Sequence, residues 1–300
     1  MLEFLLPLRG VPVVVTGAGG WLGQAALEMA HNAGAEIYAF GARARPYTLR
    51  DGVALQIHAL DELARLEARA PLVFHMAFLT REHAGKMPVD QYIATNRAIS
   101  ATVEDFIRRN GARGVFVPSS GAVYAPPPNP YGEGKLEDEA RFAALGQALG
   151  IPTVLMRVFN LAGPFINKLD SYALACIIRD ILARRPVTLR AAHPVWRGYA
   201  HVADVLNIAL GLLLRGDSPP VFDTWGELVE LSALAARAAA LLGWTSAEII
   251  RPEWQNGAAD KYLGDAVQFS AHAKTLGFEP ASLDRQVLDT ADYLGRCFPI

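Results

Sequence analysis

The stretch TGAGGWLG (residues 16–23) follows the apolar run of residues 11–15 and directly precedes a segment with helical periodicity. A glycine-rich turn between a strand and a helix is the context in which a dinucleotide is bound. Gly17 can adopt the backbone of a tight turn, Gly20 lets the main chain approach a pyrophosphate, and Gly23 permits close packing of helix on strand. The stretch therefore predicts a phosphate-binding turn at a helix N-terminus. A purely structural strand-to-helix turn is the alternative.

Short β-branched runs alternate with helical segments through the first half of the chain. This alternation is typical of an α/β domain with a doubly wound parallel sheet, which we predict for residues 1–160. Strands are predicted at residues 11–16, 37–40, 72–76, 115–118 and 153–159, and helices at residues 21–33, 89–110 and 131–149.

The alternation loosens beyond residue 160. We predict a smaller, mostly helical C-terminal lobe over residues 161–300 that binds substrate and sends segments back to the main sheet. Its helices are predicted at residues 171–184, 202–215, 229–242 and 284–294, and its short strands at residues 187–189 and 221–222.

Composition excludes several classes of protein. With 52% hydrophobic and 19% charged residues, the chain is not disordered. A net charge of −2 gives no general field for nucleic acid or anionic membranes, and no apolar run approaches the roughly 18 residues of a membrane span. Residues 1–10, MLEFLLPLRG, predict a short extension rather than a signal peptide. Two distant cysteines, Cys176 and Cys297, favour a cytoplasmic protein without disulfides, and no motif suggests a metal.

Six further motifs follow the glycine-rich turn in a fixed order. They are VFHMAF at 73–78, Asn96, SSGAVYA at 119–125, YGEGK at 131–135, MRVFN at 156–160 and RGYAHVADV at 197–205. Together with the turn, they resemble the extended short-chain dehydrogenase/reductase family, which is epimerase/dehydratase-like and mostly modifies nucleotide sugars. The resemblance covers almost the whole chain and implies a Rossmann fold.

Tyr131 and Lys135 are four residues apart at the start of a predicted helix, so their side chains project from one face. A free tyrosine titrates near roughly 10, so it can act as acid and base at neutral pH only if its phenolate is stabilised. A lysine ammonium and an oxidised nicotinamide would each stabilise that anion. Ser120 could hydrogen-bond the reacting oxygen of the substrate. The alternative is a tyrosine packed against a lysine stem.

The resemblance also implies which residues contact ligands. Cofactor contacts are implied for Gly17, Gly20, Trp21, Leu22, Gly23, Met76, Ala77, Phe78, Asn96, Tyr131, Lys135 and Phe159, and substrate contacts for Ser120, Asn160, Arg197 and Arg251. Two features depart from the family pattern: Phe78 replaces an alanine, and eleven positions separate Ser120 from Tyr131, about half the usual distance. The short loop leaves the identity of the substrate open.

The end of the second predicted strand bears on cofactor choice. Relatives that use NAD place an acid there, whereas this chain has Gly41 followed by Arg43 and Arg45. An acid would repel a 2′-phosphate, whereas Gly41 leaves room for it and Arg43 is predicted to pair with it. We therefore predict NADP as the preferred cofactor, with NAD as the alternative. A further alternative is that the two arginines are solvated loop residues with no role in ligand binding.

The sequence favours one reaction among those of the family. Dehydratases carry an Asp-Glu pair after the serine, whereas this chain has Gly121 and Ala122. The cofactor prediction favours 4-keto reduction over 4-epimerisation with tightly bound NAD. A non-catalytic dinucleotide-binding regulator and a reductase of small carbonyl compounds or lactones are further alternatives.

The resemblance implies a homodimer as well. Extended family members commonly dimerise through the helices that correspond to residues 89–110 and 131–149. Small side chains on these helices would allow close approach, namely Ala94, Ala98, Ala101 and Ala140.

Overall fold

A computed structural model describes residues 8–255 and 257–298. Most of the predicted N-terminal extension, residues 1–7, lies outside this described part. The chain forms two compact units, one comprising residues 8–158 and 206–222 and the other residues 159–205 and 223–298.

Strands and helices are numbered in chain order. The strands are β1 (Pro12–Thr16), β2 (Glu36–Gly41), β3 (Arg45–Thr48), β4 (Ala54–Ala59), β5 (Leu72–His75), β6 (Gly114–Ser120), β7 (Thr153–Val158), β8 (Asn160–Ala162), β9 (Val187–Thr188), β10 (Val195–His201), β11 (Phe222–Asp223), β12 (Leu228–Glu230), β13 (Ile249–Ile250) and β14 (Asp260–Tyr262). The α-helices are α1 (Trp21–Asn32), α2 (Arg81–Ala84), α3 (Val89–Asn110), α4 (Pro130–Leu149), α5 (Ala173–Leu182), α6 (Val202–Arg215), α7 (Leu231–Leu241), α8 (Ala266–Thr275) and α9 (Leu283–Cys297). Two 3-10 helices cover Leu60–Arg65 and Gly121–Tyr124.

The first unit is built on an eight-stranded sheet in the order β11-β7-β6-β5-β1-β2-β4-β3. Six of its strands, β7, β6, β5, β1, β2 and β4, run parallel in that order. Val13, Val14 and Val15 of β1 are fully buried, as expected for a central parallel strand. The predicted α/β fold with its doubly wound sheet is confirmed.

The direction of winding reverses at β1. The chain proceeds from β1 through β2 to β4 on one side, and then returns to β5 on the other side of β1. In open α/β sheets, ligands bind in the crevice beyond the carboxyl ends of the strands at such a switch point. The glycine-rich turn follows β1 and residues 76–78 follow β5, so both predicted cofactor segments lie at this crevice.

The sequence analysis missed β3 and β4, which extend the sheet beyond β2. β3 pairs antiparallel with β4 at the sheet edge, and within β4 only Ile57 is fully buried. β3 is the edge strand and β4 lies next to it. Strands this near the edge need few apolar residues, and these two therefore lack the β-branched runs of a central strand.

The second unit has more strands than predicted. β10 lies at the centre of a small sheet, parallel to β8 and β14 and antiparallel to β12, and β9 forms a separate parallel pair with β13. The predicted helix at 229–242 begins instead as β12 and becomes helical at α7, where the Glu230 carboxylate accepts a hydrogen bond from the Ser232 amide at 2.7 Å. Strands of two or three residues are too short to show a period in the sequence.

No helix among residues 8–255 and 257–298 is long and apolar enough to cross a membrane. Within the same residues, no group of three or more His, Cys, Asp or Glu side chains is placed to hold a metal ion. Cys176 and Cys297 are both free thiols.

Candidate active site

The glycine-rich turn is packed so closely that side chains at Gly17 and Gly23 would collide with neighbouring backbone. Gly17 has φ +70, and a Cβ added to it would lie 2.6 Å from the backbone of Met76 and Ala77. A Cβ on Gly23 would lie 2.2 Å from the carbonyl oxygen of Gly17. Gly20 directly precedes α1 and provides no side-chain cap, and an uncapped helix N-terminus attracts phosphate. The turn therefore fits the pyrophosphate of a dinucleotide.

Thr16 joins the ends of β1 and β5 at the switch point. Its hydroxyl lies 2.8 Å from Nδ1 of His75 and 3.4 Å from the amide nitrogen of Ala77, which donates to it. Burial, and after it the charge of Lys135, lowers the pKa of His75 to about 3, so this side chain is neutral. These contacts fix Met76 and Ala77 beside the glycine-rich turn.

Arg45, rather than Arg43, contacts the glycine-rich turn. Gly41 ends β2 as a buried residue, and its added Cβ would lie 3.0 Å from Ile57. Arg45 begins β3, and its Nη2 atom would lie 2.9 Å from a Cβ on Gly19. The antiparallel pairing of β3 with β4 thus brings a guanidinium next to the turn. Arg43 and Arg45 are both exposed.

Ser120 ends β6 in register with Val158 of β7. It is 7% exposed, and its hydroxyl accepts a hydrogen bond from the Ala122 amide at 3.2 Å. The side chain is therefore held at the carboxyl end of the strand, next to the start of the 3-10 helix.

The short segment between Ser120 and Tyr131 is hydrogen-bonded to the first turn of α4. Asn129 caps α4 by accepting from the Gly132 amide at 3.1 Å, and its Nδ2 donates to the Ala122 carbonyl at 2.6 Å. A Cβ on Gly132 would lie 2.1 Å from Asn129 Nδ2. The Asn129 cap and the close approach at Gly132 together allow a short connection from the end of β6 to α4. Tyr131 can therefore follow Ser120 by only eleven positions.

Lys135, Tyr131 and Phe78 meet in the first unit. Lys135 is 5% exposed, its Nζ donates to the Pro118 carbonyl at 2.9 Å, and it lies 4.0 Å from the centre of the Phe78 ring. The Phe78 and Tyr131 rings are 5.9 Å apart, edge to face. Gly134 makes room for Phe78, because an added Cβ would lie 3.1 Å from the ring.

Asn96 holds the segment that carries Phe78. Its Oδ1 accepts from the Leu79 amide at 2.7 Å, and the Tyr92 hydroxyl donates to the Leu79 carbonyl at 2.6 Å. Asn96 is almost completely buried in α3. The structure thus shows Asn96 supporting the backbone after β5.

A partly buried ion pair links β6, β7 and α4. Glu139 of α4 accepts two hydrogen bonds from Arg157 of β7, at 2.8 and 2.7 Å, and one from the Ser119 hydroxyl at 2.5 Å. Arg157 also donates to the Tyr124 hydroxyl at 2.7 Å. Glu139 therefore sets the position of α4 relative to the strand that ends in Ser120.

The second unit contains the four remaining predicted residues, of which Phe159 and Asn160 lie next to each other. The Phe159 ring packs 4.7 Å from that of Tyr262, and its amide donates to the Thr224 hydroxyl at 3.0 Å. Asn160 donates from Nδ2 to the carbonyls of Gly198 and Tyr262, at 3.1 and 3.3 Å. Asn160 therefore joins β8, β10 and the end of β14.

The two predicted substrate arginines are paired with acids. Arg197 donates to the Asp260 carboxylate at 2.7 Å, and this bond lowers the pKa of Asp260. Arg251 donates to Glu230 at 2.5 Å and lies 4.7 Å above the Trp254 ring. Burial raises the pKa of Glu230, but hydrogen bonds from Ser232 and Arg251 outweigh it and bring the pKa to about 2. Both acids are thus carboxylates near neutral pH.

Sequence reasoning missed several residues that shape the site. Asn129 was readable, because asparagine directly before proline is a helix-start signal. Glu139 was readable in part, because residues four apart share a helix face and it follows Lys135 at that spacing. Arg45 was named in the sequence analysis, but no local signal could place it beside Gly19, because that contact depends on the pairing of β3 with β4.

Comparison with known proteins identifies the family. The family model described as NAD dependent epimerase/dehydratase matches residues 13–224. A UDP-glucose 4-epimerase of Azospirillum brasilense is 31% identical over 68% of this chain and 69% of that protein. A UDP-2-acetamido-2,6-beta-L-arabino-hexul-4-ose reductase of Pseudomonas aeruginosa is 24% identical over 59% of this chain and 43% of that protein.

Solved structures share the fold. A UDP-N-acetylglucosamine 4-epimerase from Methanobrevibacter ruminantium superimposes with a TM-score of 0.76 at 18% identity, covering 96% of this chain and 99% of the other. A UDP-glucose 4-epimerase from Thermus thermophilus in complex with NAD gives 0.73 at 21% identity, covering 96% and 100%.

Proposed function

Because the chain belongs to the NAD dependent epimerase/dehydratase family, we propose that it is an NAD(P)-dependent oxidoreductase that reduces the 4-keto group of a nucleotide-linked sugar. The observation that supports a catalytic rather than a regulatory role is the meeting of Tyr131 and Lys135 around Phe78. Lys135 also hydrogen-bonds the strand that ends in Ser120. A regulator would need none of these groups.

Each residue has a role in the proposed reaction. Tyr131 gives its phenolic proton to the sugar oxygen, and Ser120 donates a hydrogen bond that orients the same oxygen. The Lys135 ammonium lowers the pKa of Tyr131 by stabilising its phenolate. The glycine-rich turn and α1 hold the pyrophosphate, and Arg45 and Arg43 hold a 2′-phosphate. When bound, the nicotinamide supplies the hydride.

Arg197 and Arg251 supply the positive charge for a diphosphate in this proposal. Each now pairs with a carboxylate, Asp260 or Glu230. Asp260 is 48% exposed and holds its arginine through a partly solvated pair, so a diphosphate can take its place. Glu230 is anchored by backbone and side-chain donors from Ser232 as well. Arg197 is therefore the stronger candidate for a direct diphosphate contact.

Epimerisation is the second candidate function. The relative named as a UDP-glucose 4-epimerase favours it, and the relative named as a reductase favours reduction. Gly41 in place of an acid, with Arg45 beside the glycine-rich turn, supports NADP and hence a reductase that exchanges its cofactor.

One experiment separates the two functions. The purified protein is incubated with NADPH and 4-keto sugars linked to uridine, thymidine, guanosine or cytidine diphosphates, and NADPH absorbance and product stereochemistry are followed. Stoichiometric oxidation supports the reductase. Interconversion of isomers without net oxidation supports the epimerase. Inactivity with every carrier, but turnover of small ketones or lactones, would contradict both.

Cofactor preference is the first testable expectation. We expect tighter binding of NADPH than of NADH, because Arg45 and Arg43 place positive charge where a 2′-phosphate would lie. Arg45→Ala should weaken NADPH binding by roughly 10- to 100-fold, as expected for loss of a charge-assisted hydrogen bond. Fluorescence titration of both cofactors measures this.

NADH serves as the internal control, because its affinity should change little in Arg45→Ala. Arg43→Ala separates the two arginines, since the atoms nearest to a Cβ on Gly19 belong to Arg45. Tighter binding of NADH by the parent protein would contradict the preference for NADP and shift the proposal to epimerisation.

We also propose a homodimer formed through α3 and α4. Ala94, Ala98 and Ala140 are exposed on these helices and would let a second copy approach closely. Light scattering at micromolar concentration should give twice the chain mass of 32.4 kDa. Ala98→Glu should give a folded monomer, because it places a charge in the interface. A monomeric parent protein would refute this proposal.

A further inference from the structure

Asp138 is a buried acid of α4 with no direct part in the proposed reaction. The residue is 4% exposed. Its Oδ1 accepts a hydrogen bond from the Ser100 hydroxyl at 2.6 Å, whereas Oδ2 has no hydrogen-bond partner among the described residues. A buried carboxylate with so few donors is unfavourable unless an opposite charge lies close by.

Lys135 is a buried cation whose hydrogen bond goes to a neutral carbonyl rather than to an acid. It lies three residues before Asp138, so the two side chains share one face of α4. An ammonium has three donor hydrogens, and its surroundings include the Pro118 carbonyl and the Phe78 ring. Neither of these groups carries a net negative charge.

The other charged groups around this pair are already matched. Glu139 is held by Arg157 and Ser119, and Arg141 donates to Glu104 at 2.6 Å. His75 of β5 is neutral. The charged groups that act on Lys135 or Asp138 are Glu137, Glu139 and Arg141 of α4, and Lys135 acts in turn on His75 of β5. Tyr92 of α3 lines the same cavity as Asp138, and Tyr131 lies one helical turn before Lys135.

We propose that Asp138 is a positioning residue that keeps the Lys135 ammonium charged beside Tyr131. Burial lowers the pKa of Lys135, and the charge of Asp138, followed by that of Glu139, raises it again. Burial raises the pKa of Asp138, and the charge of Lys135 lowers it. This inference deepens the proposed function, because a charged Lys135 is what stabilises the Tyr131 phenolate.

Removing the charge of Asp138 should shift the pKa values of Lys135 and Tyr131 in defined directions. Without the carboxylate, the pKa of Lys135 falls and the ammonium loses its proton at a lower pH. A neutral Lys135 no longer stabilises the phenolate, so the pKa of Tyr131 rises. Loss of a negative charge acting directly on Tyr131 would instead lower the pKa of Tyr131. The sign of the shift therefore separates the two effects.

The test measures the pKa of Lys135 directly. The chain has only five lysines, which are Lys86, Lys135, Lys168, Lys261 and Lys274. Protein labelled with ¹³C at lysine Cε is titrated by NMR, and the Lys135 signal is assigned by its loss in Lys135→Arg. In the parent, Lys135 should be protonated at neutral pH. Asp138→Asn keeps the shape and the Ser100 hydrogen bond, and should lower the pKa of Lys135 by about one to three units.

Glu137→Gln is the matched control. It removes the same charge one residue earlier, from a side chain that is 45% exposed. The pKa of Lys135 should stay unchanged in this variant. A shift in Asp138→Asn no larger than in Glu137→Gln would overturn the inference. If Asp138→Asn does not fold, the parent decides alone, because a neutral Lys135 at pH 7 would also overturn it.

Turnover distinguishes this inference from the proposed function. In Asp138→Asn, the limb of the pH profile that reports Tyr131 should move to higher pH, while Glu137→Gln should leave it in place. A shifted Lys135 signal with no turnover by any form of the protein supports the role of Asp138 and contradicts the proposed function. Turnover by the parent with an unshifted signal does the reverse.

Discussion

Tyr131→Phe should lower turnover by roughly 10² or more while cofactor affinity barely changes. The substitution removes the hydroxyl that gives the proton and leaves the ring, which packs edge to face with Phe78. Steady-state turnover with the 4-keto sugar found above measures the loss, and fluorescence titration measures cofactor affinity. Lys135→Met should damage both properties, because it removes the ammonium that acts on Tyr131 and on the cofactor ribose.

Tyr38→Phe is the control for this prediction. It removes a tyrosine hydroxyl that donates to Glu36 on the surface, at 2.5 Å. Turnover should stay at the parent level. If Tyr131→Phe also keeps parent turnover, another group supplies the proton and the catalytic assignment is wrong.

The central part of the fold could be predicted from local patterns. The run before the glycine-rich turn is apolar and β-branched because β1 is buried on both faces, and such runs mark the middle strands of a parallel sheet. Gly17 and Gly23 could be predicted from the motif. The structure gives the physical reason, because a Cβ at either position would collide with backbone. β3 and β4 could not be predicted, since the edge strand β3 and its neighbour β4 are mostly exposed and lack an apolar run.

The candidate site was predictable only where it depends on sequence neighbours. The spacing of Tyr131 and Lys135 fixes their common helix face before any tertiary contact is known. The ion pairs of Arg197 with Asp260 and of Glu139 with Arg157 join residues on different elements, and no periodicity encodes them. Aspartate is almost never fully buried unless it is paired, so residue type alone could not predict the burial of Asp138 beside Lys135.

Glu139→Leu should lower the free energy of unfolding by about 3 kcal/mol. The change leaves the Arg157 guanidinium partly buried without its carboxylate, and leaves the Ser119 hydroxyl without its acceptor. Urea denaturation followed by far-ultraviolet circular dichroism measures the loss. Asp292→Asn is the control, because Asp292 pairs with Arg296 on the surface, where an ion pair contributes at most about 1 kcal/mol.

The double variant Glu139→Leu with Arg157→Met tests why the single change destabilises. Replacing both charges by apolar groups removes the unpaired guanidinium, so much of the lost stability should return. Turnover should not return with it, because Glu139 holds Ser119 and thereby the end of β6 against α4. A double variant as unstable as Glu139→Leu alone would show that packing, and not an unpaired charge, sets the cost. Recovery of stability without turnover would instead assign Glu139 a role in the site apart from stability, through the placement of Ser120 or the charge of Lys135.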